Sequence, residues 1–303
     1  MKTMRASTKA LMAKHGWRID KAIHNYIYFA FYYPYVWTLT QFVVKVSPYL
    51  AWCKPLNPIL RMIVSRYHAK MLSGDNIRKI LTLNEDVVAV SDKNKRIVPF
   101  AYAYKILFQN SEYIAVMDCP CKRAMGVTDP QMLNSCICVG KKTAEFWVDR
   151  CGEKYHARRI KQDEALDIVK KFRKIGYITQ GFFKVATGGS TGVICNCYKD
   201  NCSELRAHFQ LKKYHPDLRM TAESGYSVKF KESAKCKSCG TCAKICQFEA
   251  SEYKNGKRNY KRINCMGCGL CIEHCPNGAI ELYRDTEKSV PLDIDVVRAE
   301  YVG

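Results

Sequence analysis

Acidic residues are scarce in this sequence. Its 303 residues include 28 Asp and Glu against 49 Lys and Arg, which leaves a formal net charge of +21 at pH 7. A protein with that charge attracts nucleic acid, anionic membrane surfaces or acidic proteins. The cations stand singly or in pairs, and no recognised DNA- or RNA-binding motif accompanies them. We therefore expect a basic surface that binds an acidic protein or an anionic membrane, and no nucleic-acid partner.

The sequence also lacks the motifs of nucleotide-binding and hydrolytic enzymes. The stretch from Gly188 to Gly192 is rich in glycine, but it has neither the G-x-G-x-x-G pattern nor the lysine of a phosphate-binding loop. It therefore predicts a simple turn. None of the seven histidines pairs with another at the spacing of a zinc protease or a deaminase. No hydrolytic site is predicted.

Cysteine, in contrast, is abundant, with 17 residues, and an odd number cannot all be paired in disulfides. Eight of them form two runs with the same C-x2-C-x2-C-x3-C spacing, and Pro276 follows the second run. The first run is Cys236, Cys239, Cys242 and Cys246, and the second is Cys265, Cys268, Cys271 and Cys275. Disulfide frameworks do not crowd cysteines so regularly, so the spacing predicts metal-binding thiolates in a reducing compartment.

This double run resembles the bacterial-type ferredoxin module with two 4Fe-4S clusters, at every ligand position and over residues 232–285. In that family the last cysteine of each run binds the cluster of the other run. The resemblance implies one cluster held by Cys236, Cys239, Cys242 and Cys275, and a second held by Cys265, Cys268, Cys271 and Cys246. Gln247 departs from the family pattern, which has proline after the first run.

Structural zinc is the alternative for these runs, because C-x2-C pairs also occur in zinc ribbons. Zinc takes four ligands per ion, and two complete runs at ferredoxin spacing favour iron and sulfur instead. Between the runs, Asn255-Gly256 predicts the turn of a β-hairpin whose strands are Ala250–Tyr253 and Tyr260–Ile263. The ferredoxin fold has a hairpin at this place.

A second set of cysteines lies in the middle of the chain. Two C-x-C pairs and one neighbour stand at the ends of predicted strands or at the start of a predicted helix: Cys119, Cys121, Cys195, Cys197 and Cys202. Four thiolates from two such pairs could converge on one centre, which predicts a third iron–sulfur cluster or a zinc ion. A redox-active disulfide and buried free thiols are the alternatives. Buried free thiols are also an interpretation of Cys136, Cys138 and Cys151.

The order of these segments resembles a poorly characterised family of iron–sulfur proteins. The shared order is a Cys-Pro-Cys segment, a helix, an Ile-Cys-Asn-Cys segment and the two-cluster module, from about residue 115 to 280. The resemblance implies a redox function and no particular substrate. Tyr198 and Asn201 stand where that family has two further cysteines.

The predicted fold class is α+β, with a mixed α/β middle domain followed by a ferredoxin-like module. The predicted domains are 1–80 (a basic aromatic extension), 81–231 (the cysteine-containing middle domain), 232–285 (the two-cluster module) and 286–303 (a tail). The predicted elements of the middle domain are a hairpin of Val87–Val90 and Arg96–Val98, a helix over 101–108, a strand Ile114–Met117, a helix over 165–175 capped by Gly176, strands Phe182–Ala186 and Val193–Ile194, a helix Ser203–Lys213 and a strand Tyr226–Phe230.

The N-terminal extension contains an uncharged stretch, Asn25–Val44. A membrane-spanning helix needs about 20 such residues, but the tyrosines, Trp37 and Pro34 favour an anchor that lies in the membrane interface. Packing on another subunit or on the chain's own middle domain is the third interpretation. No signal peptide is evident, so we expect a cytoplasmic protein that is peripheral to the inner face of the membrane.

Together these features predict an iron–sulfur protein that relays electrons through two 4Fe-4S clusters to or from a partner oxidoreductase. One alternative is an oxidoreductase whose middle domain binds the third cluster or a zinc ion and reduces a small substrate. Another is a subunit of a larger redox complex. The sequence predicts neither the electron donor and acceptor nor the oligomeric state.

Overall fold

A computed structural model describes residues 31–46, 49, 53, 55, 58, 67–90, 105–184, 192–215, 220–231, 236–255 and 257–301. Its α-helices are α1 (Tyr32–Gln41), α2 (Gly74–Leu81), α3 (Pro120–Ala124), α4 (Pro130–Leu133), α5 (Lys141–Tyr155), α6 (Gln162–Lys174), α7 (Ser203–Tyr214), α8 (Thr241–Lys244), α9 (Leu270–Glu273) and α10 (Ile294–Tyr301). Its strands are β1 (Tyr67–Met71), β2 (Val87–Val90), β3 (Lys105–Phe108), β4 (Ile114–Asp118), β5 (Asn134–Val139), β6 (Arg158–Ile160), β7 (Ile178–Lys184), β8 (Val193–Cys197), β9 (Thr221–Ala222), β10 (Tyr226–Phe230), β11 (Ser251–Lys254), β12 (Lys257–Tyr260) and β13 (Ile280–Arg284). This mixture of helix and sheet is consistent with the predicted α+β class.

A seven-stranded sheet organises the larger part of the described chain. Its strand order is β6-β4-β5-β8-β7-β1-β9, and neighbouring strands are antiparallel except for the parallel pair β1 and β9. All five residues of β4 are buried. A strand that is apolar on both faces must be covered on both faces. The sheet therefore has two cores.

The first core lies between the sheet and α2, α6 and α10. In α6 the buried residues Ala165, Val169 and Phe172 recur at helical spacing. Acidic residues occupy the first turn of α6 and basic residues the last turn, which complements the helix dipole. The helix ends before Gly176, whose φ of +90° favours glycine. The predicted helix over 165–175 is confirmed.

The second core lies on the opposite face, where α1 and α5 cover the sheet. The rings of Tyr32 in α1 and Trp147 in α5 are 4.8 Å apart, and the hydroxyl oxygens of Thr40 and Ser203 are 2.5 Å apart. The segment around α1 thus packs on the chain's own sheet, which is the third of the interpretations given above. Within the described ranges, no helix has the length and apolar character needed to cross a bilayer.

The C-terminal module is built on two short antiparallel ladders. In one β10 pairs with β13, and in the other β11 pairs with β12. Asn255, between β11 and β12, has a φ of +51°, a conformation that asparagine tolerates better than most residues. The predicted hairpin between the two cysteine runs is present, but its second strand is Lys257–Tyr260 and not Tyr260–Ile263, and Arg262–Asn264 forms a 3-10 helix.

Elements from the predicted extension and tail pack with the sheet, and an element from the predicted middle domain pairs with the module. β1 and α2 lie in the predicted extension, but β1 is an inner strand of the sheet and α2 contributes to the first core. β10 precedes the predicted start of the module, and α10 lies in the predicted tail although Val297 is fully buried in the first core. These contacts join segments that are far apart in the sequence, so composition along the chain does not report them.

One predicted helix is a strand. The sequence predicts a helix over 101–108, whereas Lys105–Phe108 forms β3 and pairs with β2. Cross-strand pairing overrides a weak local preference. The predicted strand Arg96–Val98 lies outside the described residues. The predicted strands Ile114–Met117 and Tyr226–Phe230 and the helix Ser203–Lys213 are confirmed as β4, β10 and α7, while β7 begins earlier than predicted and β8 extends to Cys197.

Candidate metal centres

The cysteines of the two runs line two cavities in the C-terminal module. Both cavities are small and partly open to solvent. The first cavity is lined by Cys236, Cys239, Cys242 and Cys275. The second is lined by Cys246, Cys265, Cys268 and Cys271, and Cys242 also reaches it. Each cavity thus brings together three cysteines of one run and the last cysteine of the other.

The two runs fold alike. Gly240 and Gly269 have φ angles of +73° and +80°, and each begins a one-turn helix, α8 or α9, that carries the third cysteine of its run. The fourth cysteine follows the helix and its sulfur accepts a backbone hydrogen bond. These bonds join Ala250 N to Cys246 Sγ at 3.4 Å and Ala279 N to Cys275 Sγ at 3.3 Å. The repeated spacing in the sequence therefore corresponds to a repeated local structure.

Hydrogen-bond donors surround the sulfurs of the first cavity. Arg258 donates to Cys236 Sγ at 3.5 Å, and Thr241 Oγ1 lies 3.3 Å from Cys239 Sγ. A hydrogen bond from the backbone of Ser238 lowers the pKa of Cys236, and the hydroxyl of Thr241 lowers the pKa of Cys239. Donors that point at a sulfur favour its ionised form. The first cavity thus favours the thiolates that metal binding requires.

The second cavity has an apolar wall. Phe248, Met266 and Leu270 line it together with its cysteines. Burial raises the pKa of Cys268 to about 12 and also raises the pKa of Cys271. A buried thiol keeps its proton until a metal displaces it. Metal binding in the second cavity is therefore coupled to the release of protons.

A protein-family model described as a 4Fe-4S dicluster domain matches residues 235–280. Those residues form a ferredoxin-like iron–sulfur module. The chain is also 40% identical over 47 residues to an uncharacterized ferredoxin of Methanocaldococcus jannaschii. That segment covers 15% of this chain and 28% of the relative. The donor set fits 4Fe-4S clusters, because each cavity of the ferredoxin module presents at least four cysteine sulfurs.

Arg173 of α6 fixes the ferredoxin module to the sheet. Its guanidinium donates to both carboxylate oxygens of Glu273, at 2.6 to 3.0 Å, and to the carbonyl oxygen of Cys268 at 2.7 Å. The Arg173 side chain is only 5% exposed. Bidentate charged hydrogen bonds are among the strongest in proteins and also set geometry. Arg173 thus orients the loop that carries Cys268.

Gln247, the residue after Cys246, is a second link between the module and the sheet. Its Nε2 donates to the carbonyl oxygen of Gly176 at 2.7 Å and to that of Cys197 at 3.5 Å. Its Oε1 accepts from Lys199 N at 2.8 Å. Proline, which the ferredoxin family carries here, has no polar side chain to make these bonds. Glutamine in place of the family's proline therefore joins the module to the end of β8.

The second set of cysteines converges on one region of the sheet. Cys195 hydrogen-bonds to Cys136, its partner across β5 and β8, and to Cys197 along β8. Cys119, after β4, lies within electrostatic range of Cys195. Two more thiols extend the group, since Cys202 contacts Cys197 and Cys121 contacts Cys119. The six members of this thiol pocket are Cys119, Cys121, Cys136, Cys195, Cys197 and Cys202.

Cys136 is the member of the thiol pocket that the sequence does not single out. Its signal is the C-x-C spacing with Cys138, since alternate residues of a strand share a face. Cys151 lies on α5, outside the pocket, and burial raises its pKa to about 12. Of Cys136, Cys138 and Cys151, which the sequence interprets as free thiols, Cys136 therefore lies among the predicted metal ligands.

A buried lysine lies beside the thiol pocket. The Lys122 ammonium donates to the carbonyl oxygen of Met132 at 3.0 Å and to Ser135 Oγ at 2.8 Å, and it lies 3.8 Å from the centre of the Phe172 ring. Burial lowers the pKa of Lys122, and the nearby thiols, of which Cys119 has the largest effect, act in the opposite direction. Among the groups that act on Lys122, the thiols of the pocket are thus the ones that favour its charged form.

In the ranges that the structure describes, no three His, Cys, Asp or Glu side chains are grouped so as to hold a single metal ion. The thiol pocket and the cysteines of the ferredoxin module are both among those ranges.

Replacing Arg173 by Gln should destabilise the protein by about 2 to 3 kcal/mol, because charged hydrogen bonds to Glu273 and to the Cys268 carbonyl are lost. Anaerobic thermal unfolding followed by circular dichroism measures the effect. The matched control is Arg158→Gln, which breaks an exposed ion pair with Glu164 and should cost under about 1 kcal/mol. Equal shifts in the two variants would show that Arg173 does not hold the module in place.

Proposed function

We propose that this protein is an electron carrier that binds two 4Fe-4S clusters with crossed ligands and exchanges electrons with a partner oxidoreductase. The observation that carries the proposal is the lining of the two cavities. Cys275 lies with the first run and Cys246 with the second. When bound, such clusters supply sites for single electrons.

The ligand pattern supports clusters over zinc. Each cavity is lined by three cysteines of one run and the last cysteine of the other. That is the ligand pattern of ferredoxins with two 4Fe-4S clusters. Hydrogen bonds to sulfur and solvent exposure tune the potential of an iron–sulfur cluster. The donors around the first cavity and the apolar wall of the second therefore give the two clusters different environments.

The first cavity is the place where we expect a partner to dock. Cys239 is exposed there, and Lys237 and Arg258 line the same cavity. These cations and the net charge of +21 favour an acidic partner. The second cavity lies on the side of the module that packs on the sheet, so an external partner reaches the first cavity more directly.

Crossed ligation predicts which cluster each serine variant loses. Cys275→Ser should damage the cluster of the first run, and Cys246→Ser should damage the cluster of the second run. Each variant should keep about four irons of the eight that the module binds. Anaerobic EPR of the reduced variants, compared with one another and with the wild type, identifies the signal that is lost. If each variant loses the cluster of its own run, crossed ligation is rejected.

We further propose that the segment around α1 holds the protein at the inner face of a membrane in the cytoplasm, where thiolates stay reduced. One side of α1 is buried on the sheet through Tyr32 and Val36. Phe31 is 57% exposed and Trp37 is 49% exposed. Exposed aromatic rings near cations such as Lys45 suit an anionic lipid surface.

Replacing Phe31 and Trp37 together by Ser should weaken binding to vesicles of anionic lipid at least about tenfold, because two aromatic side chains no longer insert. Vesicle sedimentation at low and high salt measures the binding. Ile263→Ser is the matched control, since Ile263 is an exposed apolar residue of the ferredoxin module. Wild-type protein that stays in the supernatant with anionic vesicles would contradict membrane attachment.

A further inference from the structure

We propose that the thiol pocket binds a third iron–sulfur cluster, which exchanges electrons with the second cavity of the ferredoxin module. The inference rests on the proposed electron-transfer function, because the third cluster would be the end of the electron path that lies inside the protein.

The number and arrangement of the thiols suit a cluster. A 4Fe-4S cluster takes four cysteine ligands, as a zinc ion does, and the thiol pocket brings six together. They come from three places in the fold: the start of α3, the neighbouring strands β5 and β8, and the start of α7. Cys195 lies next to Cys136 and Cys197. The pocket therefore contains more thiols than the four that a cluster requires.

Lys122 and the Gln180 amide lie beside the pocket, as does the buried carboxylate of Glu204, which accepts from Gln180 Nε2 at 2.7 Å. Lys122 is fully buried, and its ammonium is bonded to two neutral oxygens. Among the described residues, no carboxylate forms an ion pair with Lys122. A buried cation of this kind requires an anion nearby, and thiolates bound to iron supply one. Gln180 Nε2 also donates to Cys197 Sγ at 3.3 Å, a hydrogen bond of the type that tunes cluster potentials.

The thiol pocket and the second cavity share an apolar wall. Cys197 and Cys202 belong to the same hydrophobic cluster as Phe248, and Cys246 and Cys268 pack against that cluster. Gln247 adds a direct link, since it follows Cys246 in the chain and donates to the carbonyl oxygen of Cys197. The first cavity has no such contact in its lining. A centre in the thiol pocket therefore neighbours the second cluster, not the first.

The test is the iron, sulfide and zinc content of the full chain, purified without oxygen. The wild type should contain about twelve irons, against about eight for the ferredoxin module alone. The double variant Cys195→Ser with Cys197→Ser should lose about four irons and keep the EPR signals of the module. The control variant is Cys151→Ser, because Cys151 is buried and lies outside the pocket. It should keep about twelve irons per chain. If the double variant does not fold, Cys195→Ser alone gives the same comparison, because Cys195 is only half-buried.

EPR of the reduced protein tests the place of the third centre. Cys246→Ser removes the neighbouring cluster and with it the magnetic interaction that broadens the EPR signal of the third centre, so that signal should become narrower. Cys275→Ser leaves the neighbouring cluster in place, so the signal should stay broadened. About eight irons in the wild type and in the double variant would overturn the proposal and leave the electron-carrier function intact. One zinc per chain that the double variant loses would also overturn it. Absence of iron from the ferredoxin module would instead reject the proposed function itself.

Discussion

The guanidinium of Arg173 is the interaction on which the relation between the two halves of this protein depends. Arg173 lies in the last turn of α6, which packs in the first core. Its guanidinium donates hydrogen bonds to the Glu273 carboxylate and to the Cys268 carbonyl in the ferredoxin module. Gln247 makes the second attachment, at the end of β8. With both in place, the apolar wall of the second cavity lies on the sheet, while Cys239 of the first cavity stays exposed. The module consequently has one exposed side and one side that packs on the rest of the chain.

This orientation gives a reason for the polar side chains in an otherwise apolar contact. Arg173 donates to the backbone carbonyl of Cys268, and Gln247 donates to those of Gly176 and Cys197. Backbone carbonyls fix the position of the chain more strictly than apolar packing does, because hydrogen bonds are directional. Electron exchange depends on the separation of the centres, so a rigid contact serves it. Beside the thiol pocket, Lys122 and Gln180 also make directional hydrogen bonds, to Ser135 Oγ and to Cys197 Sγ.

Local signals in the sequence predict much of the module and less of the sheet. The cysteine spacing, the Asn255 turn and the helix before Gly176 are all encoded within a few neighbouring residues, and the structure contains each turn and helix at its predicted place. β1 and β3 depend instead on pairing with distant strands, which no local pattern reports. Arg173 meets Glu273 only because the fold brings α6 to the module. Cys136 joins the thiol pocket through its register opposite Cys195, and register is a property of the assembled sheet.

The central claim is that this chain is an electron carrier, and the electrons it accepts can be counted. Iron-loaded, full-length protein is titrated without oxygen with a strong reductant such as titanium(III) citrate, and EPR spins are integrated at each step. The account predicts uptake of about one electron for each 4Fe-4S cluster, hence about two electrons per chain in the ferredoxin module. Return of these electrons to an added oxidised dye completes the expected result. Protein that carries its iron and accepts no electrons would contradict the account.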